Sequence, residues 1–259
     1  MKKVIEKKVT TGTREWSDVS HNIGIGCSHG CLYCYAGAKA IEREVVGDSE
    51  DWLTERTTPR RIPGKEGVVM FPTAHDITPF YLDESLKTIR QMMLAGREIL
   101  IVTKAHLECM TAICSEIKSH EGYYEKVLIR VTIGSINEDI CKIWEPGAPS
   151  PQERIEALKY AFLNILRTSV SVEPMLQGPL EAAEVYNEVE KYCSEDIWFG
   201  KMNSLNVRLV DAPGKKDLIK LVHDEQCDKN ILALYDALKW DPKVKWKDSI
   251  RAVIEKNSK

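Results

Sequence analysis

Short apolar runs rich in β-branched residues alternate with longer segments of helical period along most of this 259-residue chain. The predicted strands are residues 21–26, 67–71, 98–103, 126–133, 169–173 and 196–201. The predicted helices between them lie at about 36–45, 82–95, 107–119, 151–166 and 181–193. This alternation is typical of a parallel sheet with right-handed crossovers. We therefore expect an α/β fold, a partial (β/α)6 TIM-like barrel.

The pattern changes beyond about residue 212, where helices are predicted at 215–225, 229–238 and 247–256 and no further strand is evident. We expect a barrel core over residues 1–212 and a helical C-terminal extension over residues 213–259, packed on the barrel.

The charge balance gives no general attraction to nucleic acid or to membranes, because 36 basic side chains face 39 acidic ones. No apolar run approaches the roughly 20 residues that a membrane helix needs. The first eight residues lack the apolar core of a signal peptide. We expect a cytoplasmic protein with no membrane partner; the composition does not set its oligomeric state.

Three of the eight cysteines, Cys27, Cys31 and Cys34, form a C-x3-C-x2-C motif between the first predicted strand and helix. The other five are scattered, and a chain of this size without a secretion signal is expected in a reducing compartment. Clustered soft thiolates select zinc, copper or an iron–sulfur cluster. Structural zinc usually has four ligands in two separated pairs, and the chain has no second C-x2-C pair. His29 lies between two of the cysteines, so its use as the fourth ligand of a single ion would strain the loop.

A four-iron cluster held by three cysteines leaves one iron open to a small molecule, as catalysis requires. The motif therefore favours a [4Fe-4S] cluster over structural zinc. A non-catalytic cluster or zinc scaffold stays open as the alternative.

Residues 26–36, GCSHGCLYCYA, with Tyr33 just before the third cysteine, resemble the first motif of the radical S-adenosylmethionine superfamily. They are most similar to its spore photoproduct lyase-like, or DNA repair photolyase-like, branch. Residues 101–104 (IVTK) resemble the third-strand ITK element of that branch, and residues 145–154 (EPGAPSPQER) resemble its EPxAPSPxER segment. Residues 172–178 (VEPMLQG) depart from it and are closer to phage-associated radical S-adenosylmethionine proteins.

The resemblance covers roughly residues 20 to 175 and implies a partial (β/α)6 barrel. It implies that Cys27, Cys31 and Cys34 hold a [4Fe-4S] cluster whose open iron binds S-adenosylmethionine. Reductive cleavage then gives methionine and a 5′-deoxyadenosyl radical that abstracts hydrogen from a substrate. The resemblance also implies a reducing partner, and we expect a flavodoxin- or ferredoxin-type electron donor.

Polar residues follow the predicted strands, where the chemistry of such barrels takes place. The cofactor-binding candidates are Tyr33, Thr73, His75, Asp76, Thr132, Ser135 and Asn203. The candidates for a catalytic role are Lys104, Glu173 and Lys201. Each also has an ordinary interpretation, such as a helix cap or turn for Asp76. A carboxylate in an apolar strand needs a partner, and Lys201 is the one expected for Glu173. An ion pair between Glu145 and Arg154 is expected to fix their loop.

The substrate is inferred only by analogy, as nucleic acid or a nucleotide. A peptide or a small metabolite is the alternative. The thymine-dimer lyase of the resembling branch uses an active-site cysteine as its hydrogen donor. Cys109, Cys114 and Cys141 are the candidates for that role here.

Overall fold

A computed structural model of the chain describes residues 11–58, 60–64, 66–210, 212 and 214–258. Residues 1–10, 59, 65 and 211 of the predicted core, and residues 213 and 259 of the predicted extension, lie outside the described residues. The strands are β1 (Val19–Ser20), β2 (Gly24–Ile25), β3 (Arg56–Thr57), β4 (Val68–Phe71), β5 (Glu98–Thr103), β6 (Val127–Thr132), β7 (Arg167–Val172), β8 (Ile197–Phe199) and β9 (Val244–Trp246). The helices are α1 (Tyr35–Glu42), α2 (Leu82–Leu94), α3 (Leu107–Lys118), α4 (Glu138–Trp144), α5 (Pro151–Leu163), α6 (Pro179–Val189), α7 (Leu205–Arg208), α8 (Lys215–Glu225), α9 (Asp228–Leu238) and α10 (Asp248–Asn257).

Seven strands form one sheet in the order β1-β4-β5-β6-β7-β8-β9, and every neighbouring pair is parallel. Helices connect the parallel strands, as crossovers must. Among the described residues no pairing joins β1 to β9, so the barrel is open on that side. The expected α/β partial barrel is therefore confirmed.

Two parts of the sheet differ from the prediction. The predicted strand 21–26 is replaced by β1, which joins the barrel, and by β2, which pairs antiparallel with β3. The extension is helical as predicted, but the expectation of no further strand is wrong, because β9 extends the sheet beside β8. Strands of two or three residues are too short to show a periodic signal in the sequence.

The side chains of the central strands alternate between a helix-covered layer and the barrel interior. Ile129 and Val131 of β6 and Val170 of β7 are fully buried in the main apolar core. Burial of each such side chain stabilises the fold by about 1.5–3 kcal/mol. The alternate positions are polar: Thr132 pairs in register with Ser171, and both border a cavity inside the barrel. The same alternation that builds the core therefore gives the barrel a polar interior.

Residues near the two ends of the described chain meet at the open side of the barrel. Gly12–Glu15 form a 3-10 turn just before β1. The Glu15 carboxylate lies 3.2 Å from Nζ of Lys247 and 2.8 Å from the guanidinium of Arg251, both of which follow β9. Residues 12–16 thus bridge the two edge strands.

Helix α5 begins as its sequence predicts. Ser150 accepts a hydrogen bond from the Glu153 backbone N–H at 3.2 Å, and Pro151 occupies the first helical position. No helix in the described part of the chain is long and apolar enough to cross a membrane.

Candidate functional site

A cavity of about 380 Å³ opens at the carboxyl ends of the strands. Of the site residues predicted from the sequence, it is bordered by Cys27, Cys31, Tyr33, Cys34, Thr73, His75, Asp76, Lys104, Thr132, Glu173, Lys201 and Asn203. Ser135 is the exception. The fold therefore brings nearly all the predicted residues to one place, although their roles do not follow from location alone.

The three clustered cysteines lie on the loop from β2 to α1, and none is in a disulfide. The loop is fixed by its backbone: Cys27 N–H donates to the Trp52 carbonyl at 2.9 Å, and Leu32 N–H donates to the Trp144 carbonyl at 2.9 Å. Gly26 has a φ of +92°, and a Cβ there would overlap the carbonyl oxygen of Thr54. Only glycine suits this turn, which directs the loop toward the cavity.

The donor set of this loop fits an iron–sulfur cluster. In the described part of the chain, no three His, Cys, Asp or Glu side chains are gathered closely enough to hold a single metal ion. A four-iron cluster is different, because each thiolate binds its own iron. Burial raises the pKa of the Cys27 thiol, and it raises that of Cys31 to about 12. The Cys27 and Cys31 thiols are therefore protonated without a metal, and metal binding must release these two protons.

A buried ionic network supports the cysteine loop from behind. Glu145 and Arg154, both with 0% side-chain exposure, form an ion pair at 2.5 Å, so the expected pair is confirmed. Tyr33 donates its hydroxyl hydrogen to the other Glu145 oxygen, which lies 3.8 Å from Nζ of Lys104. Burial opposes ionisation of Glu145, but the charges of Arg154 and Lys104 hold its pKa below the usual value. Tyr33 is thus held by a charged group, with its ring at the cavity.

Lys104 lies between this network and the cysteines. Burial disfavours its charge, but the negative charges of a Cys31 thiolate and of the Glu145 carboxylate hold its pKa above the usual value. Its ammonium is 5.7 Å from the centre of the Tyr33 ring. Lys104 therefore supplies a permanent positive charge beside Cys31.

Asp76 joins the ends of β4 and β5 beneath the cavity. Its carboxylate accepts hydrogen bonds from the Thr103 hydroxyl at 2.5 Å and from the Lys104 backbone N–H at 2.9 Å. Nδ1 of His29 lies 3.4 Å away. Although burial opposes its charge, His29 and these donors hold the pKa of Asp76 well below its usual range. Nε2 of His29 meets Nε2 of His106 at 3.0 Å, so both nitrogens of His29 face other groups.

Thr73 and His75 are engaged by the segment before β2. Asn22 accepts from the Thr73 backbone N–H at 2.8 Å and donates to the Thr73 hydroxyl at 2.7 Å. Nε2 of His75 accepts from the Ile23 N–H, and its Nδ1–H donates to the Asp76 carbonyl. Burial lowers the pKa of His75, which fits this neutral form. Both ring nitrogens are used within the protein, so His75 shapes the wall rather than offering a free donor.

Thr132 and Ser135, the two cofactor-binding candidates near the end of the fourth predicted strand, lie in different surroundings. The Thr132 side chain borders the cavity, next to Ser171, whose buried hydroxyl has no hydrogen-bond partner among the described residues. Ser135 is fully buried; its hydroxyl donates to Gln177 at 2.8 Å and accepts from the Asn137 N–H at 3.0 Å. Ser135 therefore fixes a loop and does not face the cavity.

The expected pairing of Glu173 with Lys201 is wrong. The partner is Lys247, whose Nζ lies 3.6 Å from the Glu173 carboxylate. Lys247 follows the unpredicted strand β9, and only 1% of its side chain is exposed. Burial raises the pKa of Glu173, an effect that the Lys247 charge offsets only in part. A Cβ at Gly200 would lie 2.6 Å from Cγ of Glu173, so the glycine makes room for this carboxylate.

Several cavity residues were missed by the sequence analysis, notably Trp16, Tyr35, Arg208 and Lys247. The Trp16 ring lies between two cations, with the Lys247 ammonium 4.1 Å and the Arg130 guanidinium 4.7 Å from its centre. No motif marks Trp16 or Lys247. Tyr35 directly follows Cys34 within residues 26–36, so the cysteine motif could have indicated it from the sequence.

The three candidate hydrogen-donor cysteines do not reach the cavity. Cys109 and Cys114 lie on α3 and Cys141 lies on α4, all buried outside the residues that border it. The Cys141 thiol lies 3.5 Å from the Ser135 carbonyl oxygen. All three pack as small apolar side chains.

No family model matches the chain. Among curated proteins, the uncharacterized protein ORF301 of Acidianus two-tailed virus is 26% identical to this chain over 252 residues. The match covers 87% of this chain and 81% of ORF301.

Solved structures share the fold at low identity. Spore photoproduct lyase complexed with dinucleoside spore photoproduct matches with a TM-score of 0.56 and 14% identity, over 88% of this chain and 75% of the lyase. SuiB of Streptococcus suis bound to precursor peptide SuiA matches with a TM-score of 0.55 and 10% identity, over 90% of this chain but 49% of SuiB. SuiB bound to S-adenosylmethionine matches with a TM-score of 0.51, 9% identity and coverages of 86% and 48%. The chain thus spans about half the length of SuiB. The resemblance predicted from the cysteine motif is confirmed in the fold, that of radical S-adenosylmethionine enzymes, including spore photoproduct lyase.

Proposed function

We propose that this chain is a radical S-adenosylmethionine enzyme with its cluster on Cys27, Cys31 and Cys34. One observation carries the proposal: three free cysteines on a single loop border the same cavity as the polar residues that end the parallel strands. When bound, the [4Fe-4S] cluster supplies the electron that cleaves S-adenosylmethionine to methionine and a 5′-deoxyadenosyl radical. A flavodoxin- or ferredoxin-type protein is the proposed reductant, and the cytoplasm the proposed location.

The protein's own contribution is to position and to charge the site. The buried Glu145–Arg154 pair holds Tyr33 and, through it, the cysteine loop. Lys104 places a positive charge beside Cys31, which favours the thiolate form that a metal requires. The Thr132 side chain also borders the cavity. We propose that it binds the ribose of S-adenosylmethionine.

We propose Glu173 and Lys201 as substrate-facing residues on the far side of the cavity. Glu173 is largely buried, and its raised pKa makes it the carboxyl group of the cavity that protonates most readily. A carboxyl group poised in this way can accept or return a proton near a reacting substrate. Hydrogen abstraction itself is assigned to the deoxyadenosyl radical and needs no acid or base.

The proposed substrate is a nucleic acid or a nucleotide. Structures of the same fold support this class, since spore photoproduct lyase is solved with a dinucleoside spore photoproduct. SuiB, solved with a precursor peptide, supports a peptide as the second candidate. The absence of Cys109, Cys114 and Cys141 from the described cavity argues against a cysteine hydrogen donor at those positions.

Reductive cleavage tests the proposal. The protein is purified without oxygen, reconstituted with iron and sulfide, and mixed with dithionite and S-adenosylmethionine; 5′-deoxyadenosine is then quantified. We expect product from the wild type and from Cys227→Ala, an exposed cysteine outside the cavity, but none from Cys31→Ala. One zinc per chain and no sulfide would instead support a scaffold. A full cluster and bound S-adenosylmethionine without cleavage would contradict the proposed chemistry, provided that a range of nucleotide and peptide substrates also fails to trigger it.

A further inference from the structure

Three polar side chains without partners lie on the segment that leads from β8 into α7. Lys201, Asn203 and Arg208 all border the cavity, and all are partly exposed. In the part of the chain that the structure describes, neither the Lys201 ammonium nor the Arg208 guanidinium has a hydrogen-bonding or ion-pair partner. The Asn203 amide has none either. The backbone holds the segment in place: the Lys201 N–H donates to the Ser249 hydroxyl at 3.1 Å, and the Arg208 N–H donates to the Ser204 carbonyl at 3.0 Å.

The other charges of the cavity are already compensated. Lys104 lies 3.8 Å from Glu145, and Lys247 is shared between Glu15 and Glu173. The charges of Asp76 and Glu145 are balanced by those of Lys104 and Arg154, which act on these two carboxylates.

Outside the cavity, the charge of Lys201 acts on the carboxylate of Asp228. That carboxylate already has a partner, because it forms an ion pair with Lys256 at 2.6 Å. Lys201 and Arg208 therefore leave an excess of about two positive charges, by formal count, on one side of the cavity.

From this placement we infer that Lys201, Asn203 and Arg208 form a phosphate-binding subsite for the substrate. The inference deepens the proposed function, on which it rests, and names the ligand as the phosphate of a nucleotide or of a short single-stranded oligonucleotide. A guanidinium, an ammonium and a side-chain amide are the donors that proteins most often direct at phosphate oxygens. Lys104 and Lys247 are less suited to bind a phosphate, because each already faces a carboxylate of the protein. Lys201, Asn203 and Arg208 have no such partner among the described residues.

An aromatic ring lies beside the subsite. Tyr35 is 43% exposed and borders the cavity, and the charge of Arg208 acts on its hydroxyl. Its hydroxyl hydrogen is donated to the Thr73 carbonyl at 2.5 Å, which fixes the ring. A fixed, exposed ring next to a cation suits a base stacked beside a bound phosphate.

The same donors would also suit a carboxylate, and S-adenosylmethionine carries one. Arg208 also borders a second cavity of about 510 Å³, which Cys31 and Cys34 border as well. The test must therefore separate binding of a substrate phosphate from binding of the cofactor carboxylate.

The experiment compares two probes on the cluster-reconstituted protein. One is fluorescein-labelled tetrathymidylate, and the other is the same oligomer with uncharged methylphosphonate linkages. Binding is followed by fluorescence anisotropy for the wild type, Lys201→Ala, Arg208→Ala and the control Lys216→Ala, an exposed lysine of α8 that does not border the cavity. Binding of S-adenosylmethionine to the same proteins is measured by equilibrium dialysis.

We expect the wild type and Lys216→Ala to prefer the charged probe. Lys201→Ala and Arg208→Ala should each weaken its binding by about ten-fold. Each should also reduce the dependence of log K on log salt by about 0.7. Binding of the uncharged probe and of S-adenosylmethionine should stay within about two-fold of the wild type, since the removed interaction is with phosphate.

Three results would overturn the inference. In the first, the wild type shows no preference for the charged probe up to about 1 mM. In the second, the two variants bind it as tightly as Lys216→Ala does. A loss of S-adenosylmethionine binding alone would assign the cations to the cofactor carboxylate. Failure of the proposed function looks different, because it appears as absent S-adenosylmethionine cleavage by the wild type, whichever probe binds.

Discussion

Nζ of Lys247 lies 3.6 Å from the carboxylate of Glu173, although the two residues come from the predicted barrel core and the predicted extension. The same ammonium donates to the Gly12 carbonyl at 2.7 Å and lies 3.2 Å from Glu15. The far wall of the cavity is therefore built jointly by the residues before β1, the end of β7 and the residue after β9.

Replacing Lys247 should destabilise the protein strongly. Lys247→Met leaves Glu173 without its cation and Glu15 with Arg251 alone, and we expect the free energy of unfolding to fall by about 3 kcal/mol. Urea denaturation at neutral pH measures this. The matched control is Lys245→Met, because Lys245 is exposed and its ammonium bonds, among the described residues, only to the Pro242 carbonyl. Its effect should stay below about 0.5 kcal/mol. Equal effects of the two substitutions would show that the buried contacts of Lys247 add no stability.

Acid should destabilise the fold through Asp76 and Glu145, whose pKa values are both lowered in the folded protein. Unfolded Asp and Glu take up protons near pH 4, whereas these folded carboxylates stay ionised to lower pH. Their stabilising contribution is thus complete above that pH and is lost as the pH falls through the folded values. We expect the free energy of unfolding to decrease from about pH 5 downward. Urea midpoints measured across this range should fall less steeply for Glu145→Gln, and an unchanged slope in that variant would contradict the assignment to Glu145.

Adding one methyl group to the cysteine loop should impair cluster assembly. Gly26→Ala forces an alanine into a φ of +92° and against the Thr54 carbonyl, so the loop must move. We expect the iron and sulfide bound per chain after reconstitution to fall by at least about half, given a strain of about 1–3 kcal/mol. Gly47→Ala is the control, because a Cβ there meets nothing within 4 Å. Full cluster content in Gly26→Ala would show that the loop tolerates the shift.

Removing Cys141 should cost stability but not chemistry. Its thiol is buried and points at the Ser135 carbonyl, and burial raises its pKa to about 11. We expect Cys141→Ala to lower the free energy of unfolding by about 1 kcal/mol, as for other small core truncations. Its yield of 5′-deoxyadenosine should match that of the wild type. A selective loss of product with the cluster intact would return Cys141 to the role of hydrogen donor.

The sequence predicted the parts of the site that rest on local pattern. The cysteine spacing, the long central strands and the polar residues at their ends all came from signals within a few residues of each other. Thr73, Lys104 and Thr132 reached the cavity because parallel strands end at one edge of the sheet. Ser135 did not, since it lies three residues past β6 and turns into the loop.

The parts that sequence reasoning missed depend on distant contacts. Glu173 pairs with Lys247 and not with the predicted Lys201, because β9 places Lys247 beside it. This strand has three residues and no periodic signal of its own. Trp16 reaches the barrel interior only because residues 12–16 bridge the open edge, which no local pattern reveals. Propensity and spacing cannot identify such partners, because tertiary packing selects them.

The hydrogen bond from Lys247 to Gly12 spans 235 residues and has a consequence for the order of folding. Contacts so far apart in the chain form late, because the entropy of closing the loop must be overcome first. The cysteine loop needs much less, since its partners Trp52, Thr54 and Trp144 come from the first part of the chain. A nascent chain can therefore shape the cysteine loop while the opposite wall is still unmade.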